Sequence, residues 1–402
     1  MPASPAQAWQ TDLGGDLTSP VVAGGLVFLA QVQTHTLHAL DAGTGKVVWS
    51  RTLGGRIDSP PTIHKGLCLI GCRDGFVHCL RAADGEVVWR FRAAPRDRRL
   101  VAYDQLESVW PVMGNVLVHE GSAYFAAGRS SYIDGGMMLY KLDPVTGEVQ
   151  AERRLYDRDP ETGQEPQKPV RGTYMPGALP DVLSSEGESL YMRHHRFDAD
   201  LNAQKPDVPH LFCPAGFLDG SWWHRTYWMY GTRMQSGWGG WPHAGRKNPA
   251  GRIMVIGEEA VYSFGRLNQY GTHGTHVGLA SKMHSWGGTP KERPHYVLFA
   301  SAKERVKPRW TASVDLWVRG MVLAEDALFL AGPPNPFDGG TADAEPFAAD
   351  KGGRLRVVSP KDGKQVAACA LSAPPAWDGL AAARGRLYVT TTDGKVTCLA
   401  GK

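Results

Sequence analysis

The chain has 402 residues with 48 glycines, 28 prolines and 21% charged residues, and 44 basic against 40 acidic groups leave a net charge of only +4. That balance gives no footprint for nucleic-acid binding, and no apolar run reaches the length of a membrane-spanning helix. A hydrophobic content of 42% supports a packed core, and the glycine and proline content indicates many turns.

The N-terminal residues Met1–Ala8 have neither a basic segment nor an apolar one, so no signal peptide is visible. Trp9, Trp49 and Trp89 then recur at intervals of 40 residues. Their flanks recur too: Trp9 leads through Leu13-Gly14-Gly15 to Ser19-Pro20, and Trp49 through Leu53-Gly54-Gly55 to Ser59-Pro60. A period of this length with short alternating strands predicts four-stranded propeller blades. In the first unit the strands read as Val21–Ala23, Leu26–Val32, Leu37–Asp41 and Lys46–Ser50, with a glycine turn at 42–45 before the outer strand. The second unit repeats this, with Ala82-Ala83-Asp84-Gly85 as the turn.

Asp41-Ala-Gly-Thr-Gly45-Lys46-Val-Val-Trp49 and Ala83-Asp84-Gly85-Glu86-Val-Val-Trp89 resemble the tryptophan-docking motif of PQQ-like (quinoprotein-type) β-propeller repeats. Asp143–Glu148 and Ser359–Lys364 match its turn, with Ala151 and Ala367 at the tryptophan position. The resemblance is strong over 1–155 and 315–402 and weak between. It implies an all-β propeller of four-stranded antiparallel blades, in which Trp9, Trp49 and Trp89 are structural and pack between blades. Seven blades are expected: 18–54, 58–95, 115–155, 178–230, 252–310, 317–372, and 379–400 completed by the strand carrying Trp9. The two chain ends then close one blade. An eighth blade within 156–250 is the alternative.

The whole chain, 1–402, reads as one propeller domain with long insertions at about 96–110, 130–136, 157–176, 197–209, 231–251, 268–294 and 333–353. Each is placed either before an inner strand or between a second and a third strand, which puts all of them on one face. Such one-sided elaboration of a rigid scaffold predicts a binding surface. Nine of the fourteen histidines lie between 194 and 295, and seven of the thirteen tryptophans between 222 and 310. Trp110, Trp317 and Trp377 precede inner strands, with Arg319 and Asp378 at comparable positions, and these five are the expected ligand-binding residues at the channel mouth. Aromatic walls with a few fixed polar groups suit a planar or sugar-like ligand.

Tyr191, His194, His195 and Arg196 are the catalytic candidates, as a base, acid and charge-neutralising set for proton abstraction beside a carboxylate. The adjacent pair His194-His195 is expected to point to opposite faces of a strand. His273 and His276, three apart, are the metal candidates, joined by one of the adjacent histidines, with Arg196 and Arg319 as charge partners. The bland alternative for each histidine and tryptophan is a side chain that stitches long loops to the propeller.

In the dehydrogenases of this resemblance, a vicinal disulfide and a calcium-binding set of acidic and amide residues hold the quinone. The six cysteines include no adjacent pair, and no aspartate-rich calcium loop occurs. PQQ is therefore not expected, and a divalent metal stays open. No nucleophile elbow, phosphate-binding loop or zinc-protease motif occurs either. The leading expectation is a non-catalytic scaffold-type propeller, bacterial and periplasmic or extracellular by resemblance. It would bind a small molecule, a carbohydrate or a protein partner through its histidine- and tryptophan-rich face. A metal-assisted or histidine-based enzyme acting on a carbohydrate in the central funnel is the second reading, and a quinoprotein-type oxidoreductase the third. The absent signal peptide keeps the cytoplasm open, and the chain may equally be read as one module of a larger protein.

Overall fold

The computed structural model describes residues 5–102, 104–159, 161–164, 177–213, 228–232, 245, 248–265, 296–335 and 349–401. They form eight blade sheets, seven of them four-stranded and antiparallel, and one three-stranded. Among these residues the only helical element is a single 3-10 turn at Ala349–Lys351, and no helix is long and apolar enough to cross a membrane.

Blade I comprises Val21–Ala23, Leu26–Gln31, Thr36–Asp41 and Val47–Thr52, and blade II comprises Thr62–His64, Leu67–Gly71, Phe76–Arg81 and Val87–Arg92. The burial pattern explains the layering. The two central strands of each are nearly continuously buried, because neighbouring blades cover both faces, whereas the outer strand alternates. Blade III follows at Leu117–His119, Ser122–Ala127, Met137–Leu142 and Val149–Leu155. Blades VI and VII run over Ile253–Ala312 and Gly320–Leu371. Blade VIII joins Pro375–Ala383, Arg386–Thr391 and Lys395–Gly401 to the N-terminal strand Pro5–Asp12, which pairs antiparallel with Lys395–Gly401. This closure, expected from the chain ends, covers the outer edge of Lys395–Gly401 and makes Pro5–Asp12 the outer strand of blade VIII.

Seven blades was one too few. The stretch expected to hold a single blade holds two: blade IV at Leu183–Glu186, Ser189–Met192, His195–Phe197 and Ala203–Gln204, and blade V at His210–Phe212, Trp228–Gly231 and Ala250–Gly251. Their strands are only two to four residues long and lack the tryptophan and glycine-turn signals, so the period fades there. As a consequence 197–209 is not one loop. Phe197 ends a third strand, Ala203–Gln204 is an outer strand, and only the residues after it lead into blade V. The insertion 96–110 carries a small hairpin of its own, Arg99–Ala102 paired with Gln105–Ser108.

The recurring tryptophans lock each blade to the next. Trp9 Nε1 donates to the Ala42 carbonyl at 3.1 Å, Trp49 to Ala82 at 3.0 Å, Trp89 to Pro144 at 3.1 Å and Trp310 to Pro360 at 3.0 Å. Each acceptor lies in the turn before the next blade's outer strand. The turn glycine has to be a glycine twice over. Gly45 and Gly85 both hold φ at +75°, and a Cβ there would come within 2.5 Å of the Trp9 ring and 2.7 Å of the Trp49 ring. The glycine that closes each of these turns, Gly45, Gly85, Gly147 and Gly363, is thus the receptor for the preceding blade's indole.

Candidate functional site

Inner strands line the central channel of a propeller, and the inner strand of blade VIII is interrupted there. Pro375 pairs with Thr391 and Leu380 with Val389, so Ala376–Gly379 bulge opposite Thr390 alone. Bulges re-aim side chains. Asp378 sits in this one with φ +53°, a left-handed conformation that aspartate tolerates better than most residues. Its amide donates to the Arg319 carbonyl of blade VII at 2.8 Å, and the Trp377 carbonyl accepts Ser19 Oγ of blade I at 3.4 Å. The bulge is therefore pinned from both neighbouring blades. Solvent reaches Asp378, yet dense protein surrounds it, and that enclosure pushes its carboxyl up to about 7. Among the described residues no cation offsets the push.

Arg319 enters blade VII beside it, its amide bonded to the Ala331 carbonyl at 2.8 Å. Burial, and then the charge of Arg252, pull its guanidinium down to about 10. Arg252 lies 4.9 Å over the Trp317 ring. Trp317 is only 5% exposed and packs on Tyr296 and Phe264, with ring centroids 4.5 and 5.7 Å away. Trp110 is similarly buried, in the core between blades II and III. Of the five expected ligand residues, the structure therefore brings Trp377, Asp378 and Arg319 to one rim, and puts Trp110 and Trp317 behind it as packing.

A second feature was not anticipated. Arg56, Asp58, Arg73, Glu107 and Arg129 form a continuous buried chain of charges. Arg56 Nε lies 2.7 Å from Asp58, Arg73 pairs with Asp58 and, at 3.1 Å, with Glu107, and Arg129 pairs with Glu107. The Arg73, Asp58 and Glu107 side chains are 1–2% exposed. Glu107 comes from the inserted hairpin, Arg73 and Arg129 from the turns after the second strands of blades II and III, and Asp58 from the entry to blade II. Gln105 of the same hairpin bonds His35 Nε2 at 2.8 Å and Gln33 Oε1 at 2.9 Å in blade I. The insertion at 96–110 thus lies across three blades, fixed by ion pairs. The sequence signal that could have found this charge chain is Arg73-Asp74-Gly75 at a turn, where a solvent-facing charge is the ordinary expectation.

In blade IV the catalytic candidates do not form a working set. Tyr191 is 1% exposed, stacked on His210 with centroids 3.9 Å apart. His194 and His195 do not face opposite sides: Arg193-His194 is a turn, Arg193 having φ +53°, and the two rings sit 4.2 Å apart. Burial first, then neighbouring positive charge, lowers His194 to about 2 and His195 to about 4, so both are neutral at pH 7. Arg196 turns outward to Ser189 and Asp207 rather than toward the histidines. Asp181, at the entry to this blade, is pushed up to about 7 by burial, against the pull of the Val182 amide and the Arg193 charge. His273 and His276 lie outside the described residues, as do His224, His243, His284 and His295.

These features define a closed propeller of interlocked, tryptophan-bearing blades. A family model described as outer membrane protein assembly factor BamB matches residues 2–174. No curated protein matches the sequence. Among solved structures, the quinohemoprotein alcohol dehydrogenase from Comamonas testosteroni is similar at 14% identity with a TM-score of 0.62, covering 100% of this chain and 78% of that one. A second such dehydrogenase, from Pseudomonas putida HK5, reaches 12% and 0.58 over 99% and 76% of the two chains. A europium-containing methanol dehydrogenase reaches 11% and 0.56 over 98% and 93%. At these identities the likeness shows the fold. The family model matches the first 174 residues, and over the rest of the chain the likeness to these structures shows the β-propeller fold alone.

The quinone of such dehydrogenases does not fit the described residues. All six cysteines are free and none is adjacent to another. The two perturbed carboxyls, Asp181 and Asp378, belong to blades IV and VIII, on opposite sides of an eight-blade ring, and so do not make one acidic cation site.

Proposed function

We propose that this protein is a non-catalytic PQQ-like propeller that binds a polar ligand at the channel mouth, on the face carrying the insertions. The observation that carries this reading is Asp378: a solvent-reachable carboxyl, held by a pinned bulge beside Trp377 and Arg319, with no cation offsetting it among the described residues. Such a group recognises a hydroxyl or ammonium donor, and the adjoining half-buried Trp377 adds an aromatic residue to the same bulge, a combination that suits a sugar-like or amine-bearing ligand. The buried charge chain supports the same reading, since it stiffens the insertion at 96–110 without leaving a reactive group exposed. The half-buried, neutral pair His194 and His195, with Arg196 turned away from it, speaks against acid–base chemistry in blade IV. A protein partner presenting a lysine or a hydroxyl-rich loop would use the same groups. A periplasmic or extracellular setting follows from the family likeness.

The test is a thermal-shift screen of the full chain against oligosaccharides, polyols and polyamines. A ligand bound only by the folded state at 100 times its dissociation constant adds about 2.7 kcal/mol. The reading expects a hit whose shift is lost in Asp378→Asn and reduced in Trp377→Ala. A hit indifferent to both variants refutes this site.

One observation favours the enzyme reading: a carboxyl near 7 in a cleft is also how general acids and bases are poised. It expects turnover of a bound sugar, with a pH profile that inflects near 7 and disappears in Asp378→Asn.

A further inference from the structure

Blade II holds a second constellation, apart from the channel. The turn after its second strand is tightly built: the Cys72 amide donates to the Phe76 carbonyl at 3.0 Å, and the Gly75 amide to the Cys72 carbonyl at 3.2 Å. Asp74 Oδ1 accepts the Phe76 amide at 2.9 Å, which fixes the carboxylate and leaves Oδ2 turned toward His78 on the following strand. Cys72 Sγ, an Asp74 carboxylate oxygen and a His78 ring nitrogen all lie within 4.8 Å of one another. Cys72 and His78 are buried, and the Asp74 side chain is 7% exposed.

We propose that Cys72, Asp74 and His78 form a zinc-type metal site within blade II. Zn²⁺ takes thiolate, imidazole and carboxylate ligands tetrahedrally at roughly 2.0–2.3 Å, so ligand atoms of one ion lie about 3.3–3.8 Å apart. His78 Nε2 and Asp74 Oδ2, 3.3 Å apart, already meet that spacing, and Cys72 Sγ, no more than 4.8 Å from either, has to close in by at most about 1 Å. The mixture of soft and borderline donors favours zinc-like ions over calcium or magnesium, which prefer oxygen alone. A thiolate and a carboxylate together balance the double positive charge.

The contacts made without an ion are weak substitutes. His78 Nε2 lies 3.3 Å from Asp74 Oδ2, and the thiol donates to the Gly55 carbonyl at 3.1 Å. Burial and the Asp74 charge raise the Cys72 thiol well above its ordinary range. A bound cation reverses that electrostatic logic and takes the thiol proton's place. Arg90, whose guanidinium is 3.3 Å from Asp74 Oδ2, is the competing cation. It is 47% exposed and also lies 3.5 Å over the Phe76 ring, where it stays when the carboxylate turns to a metal. Arg73, the centre of the buried charge chain, sits in sequence between Cys72 and Asp74, so an ion here would clamp the turn that carries it.

The experiment is titration of the metal-free full chain with Co²⁺, read by absorption. The expected result is a sulfur-to-cobalt charge-transfer band that saturates at one equivalent and is displaced by Zn²⁺. Cys72→Ser abolishes the band, and His78→Gln weakens binding more than about 100-fold, beyond the loss typical of an outer-shell change. Arg90→Ala tightens binding. Absence of the band in the wild-type chain overturns the proposal, as does a band that persists in Cys72→Ser. Where Cys72→Ser fails to fold, Asp74→Asn and His78→Gln carry the test, and a band unchanged in both overturns it.

Discussion

Replacing Arg73 by methionine keeps the length and apolar bulk of the side chain and removes its charge. Arg73 bonds Asp58 and both oxygens of Glu107, at 3.1 and 3.2 Å, with all three side chains no more than 2% exposed. Each carboxylate keeps one cation, Arg56 for Asp58 and Arg129 for Glu107, and Arg129 is itself 20% exposed. Two buried carboxylates then each lose a cation. Breaking a buried ion pair by removing one partner costs about 3–5 kcal/mol. At roughly 2.1 cal/mol/K per residue over 402 residues, each kcal/mol moves the unfolding midpoint by about 1.2 °C, so the midpoint should fall by about 4–6 °C. The comparison is Arg81→Ala, which removes an exposed pair with Asp84, the side chains being 57% and 45% exposed. That change should leave the midpoint close to that of the wild type, because solvent screens the exposed pair. Scanning calorimetry of the two variants decides the matter: an Arg73→Met midpoint no lower than that of Arg81→Ala refutes the claim that the charge chain holds the insertion in place.

Gly85→Ala forces a side chain into a left-handed backbone, at about 1–2 kcal/mol, and pushes the Trp49 ring from its seat; denaturant unfolding should show the loss, and Trp49→Phe, which forfeits the bond to Ala82, should cost about 1 kcal/mol. Deleting Pro5–Asp12 removes the strand paired with Lys395–Gly401, and light scattering should show association through the uncovered edge. Asp181 has a folded-state pKa raised to about 7, so the folded state holds its proton more tightly than the unfolded chain does. Its stabilising effect is therefore full below about pH 4 and is lost as pH rises to about 7. Asp181→Asn should accordingly flatten the stability profile between those limits and leave the chain relatively more stable at pH 8, as read from midpoints across pH.

The sequence by itself determined the architecture wherever local chemistry repeats. A tryptophan every 40 residues, a glycine turn ahead of it and alternating strands required stacked blades, and the two incomplete ends required closure. The geometry shows why that signal is readable: the indole and the glycine that receives it belong to consecutive repeats, so an interaction between blades is written as a periodic one. Trp377, Asp378 and Arg319 could be placed at the starts of inner strands from the sequence, and the structure puts Asp378 against the Arg319 carbonyl there. The eighth blade was not legible, since the short strands of blades IV and V bury too few residues to impose a pattern. Nor was the difference between Trp377 at the rim and Trp110 and Trp317 in the core, which depends on the packing around each indole. The tertiary structure alone decided the charge chain and the Cys72–Asp74–His78 cluster. In the first, Asp58, Arg73, Glu107 and Arg129 meet across two blades and an inserted hairpin. In the second, a turn folds Cys72 and Asp74 back beside His78. Burial and proximity set the electrostatics of both, and neither is encoded in the spacing of residues along the chain.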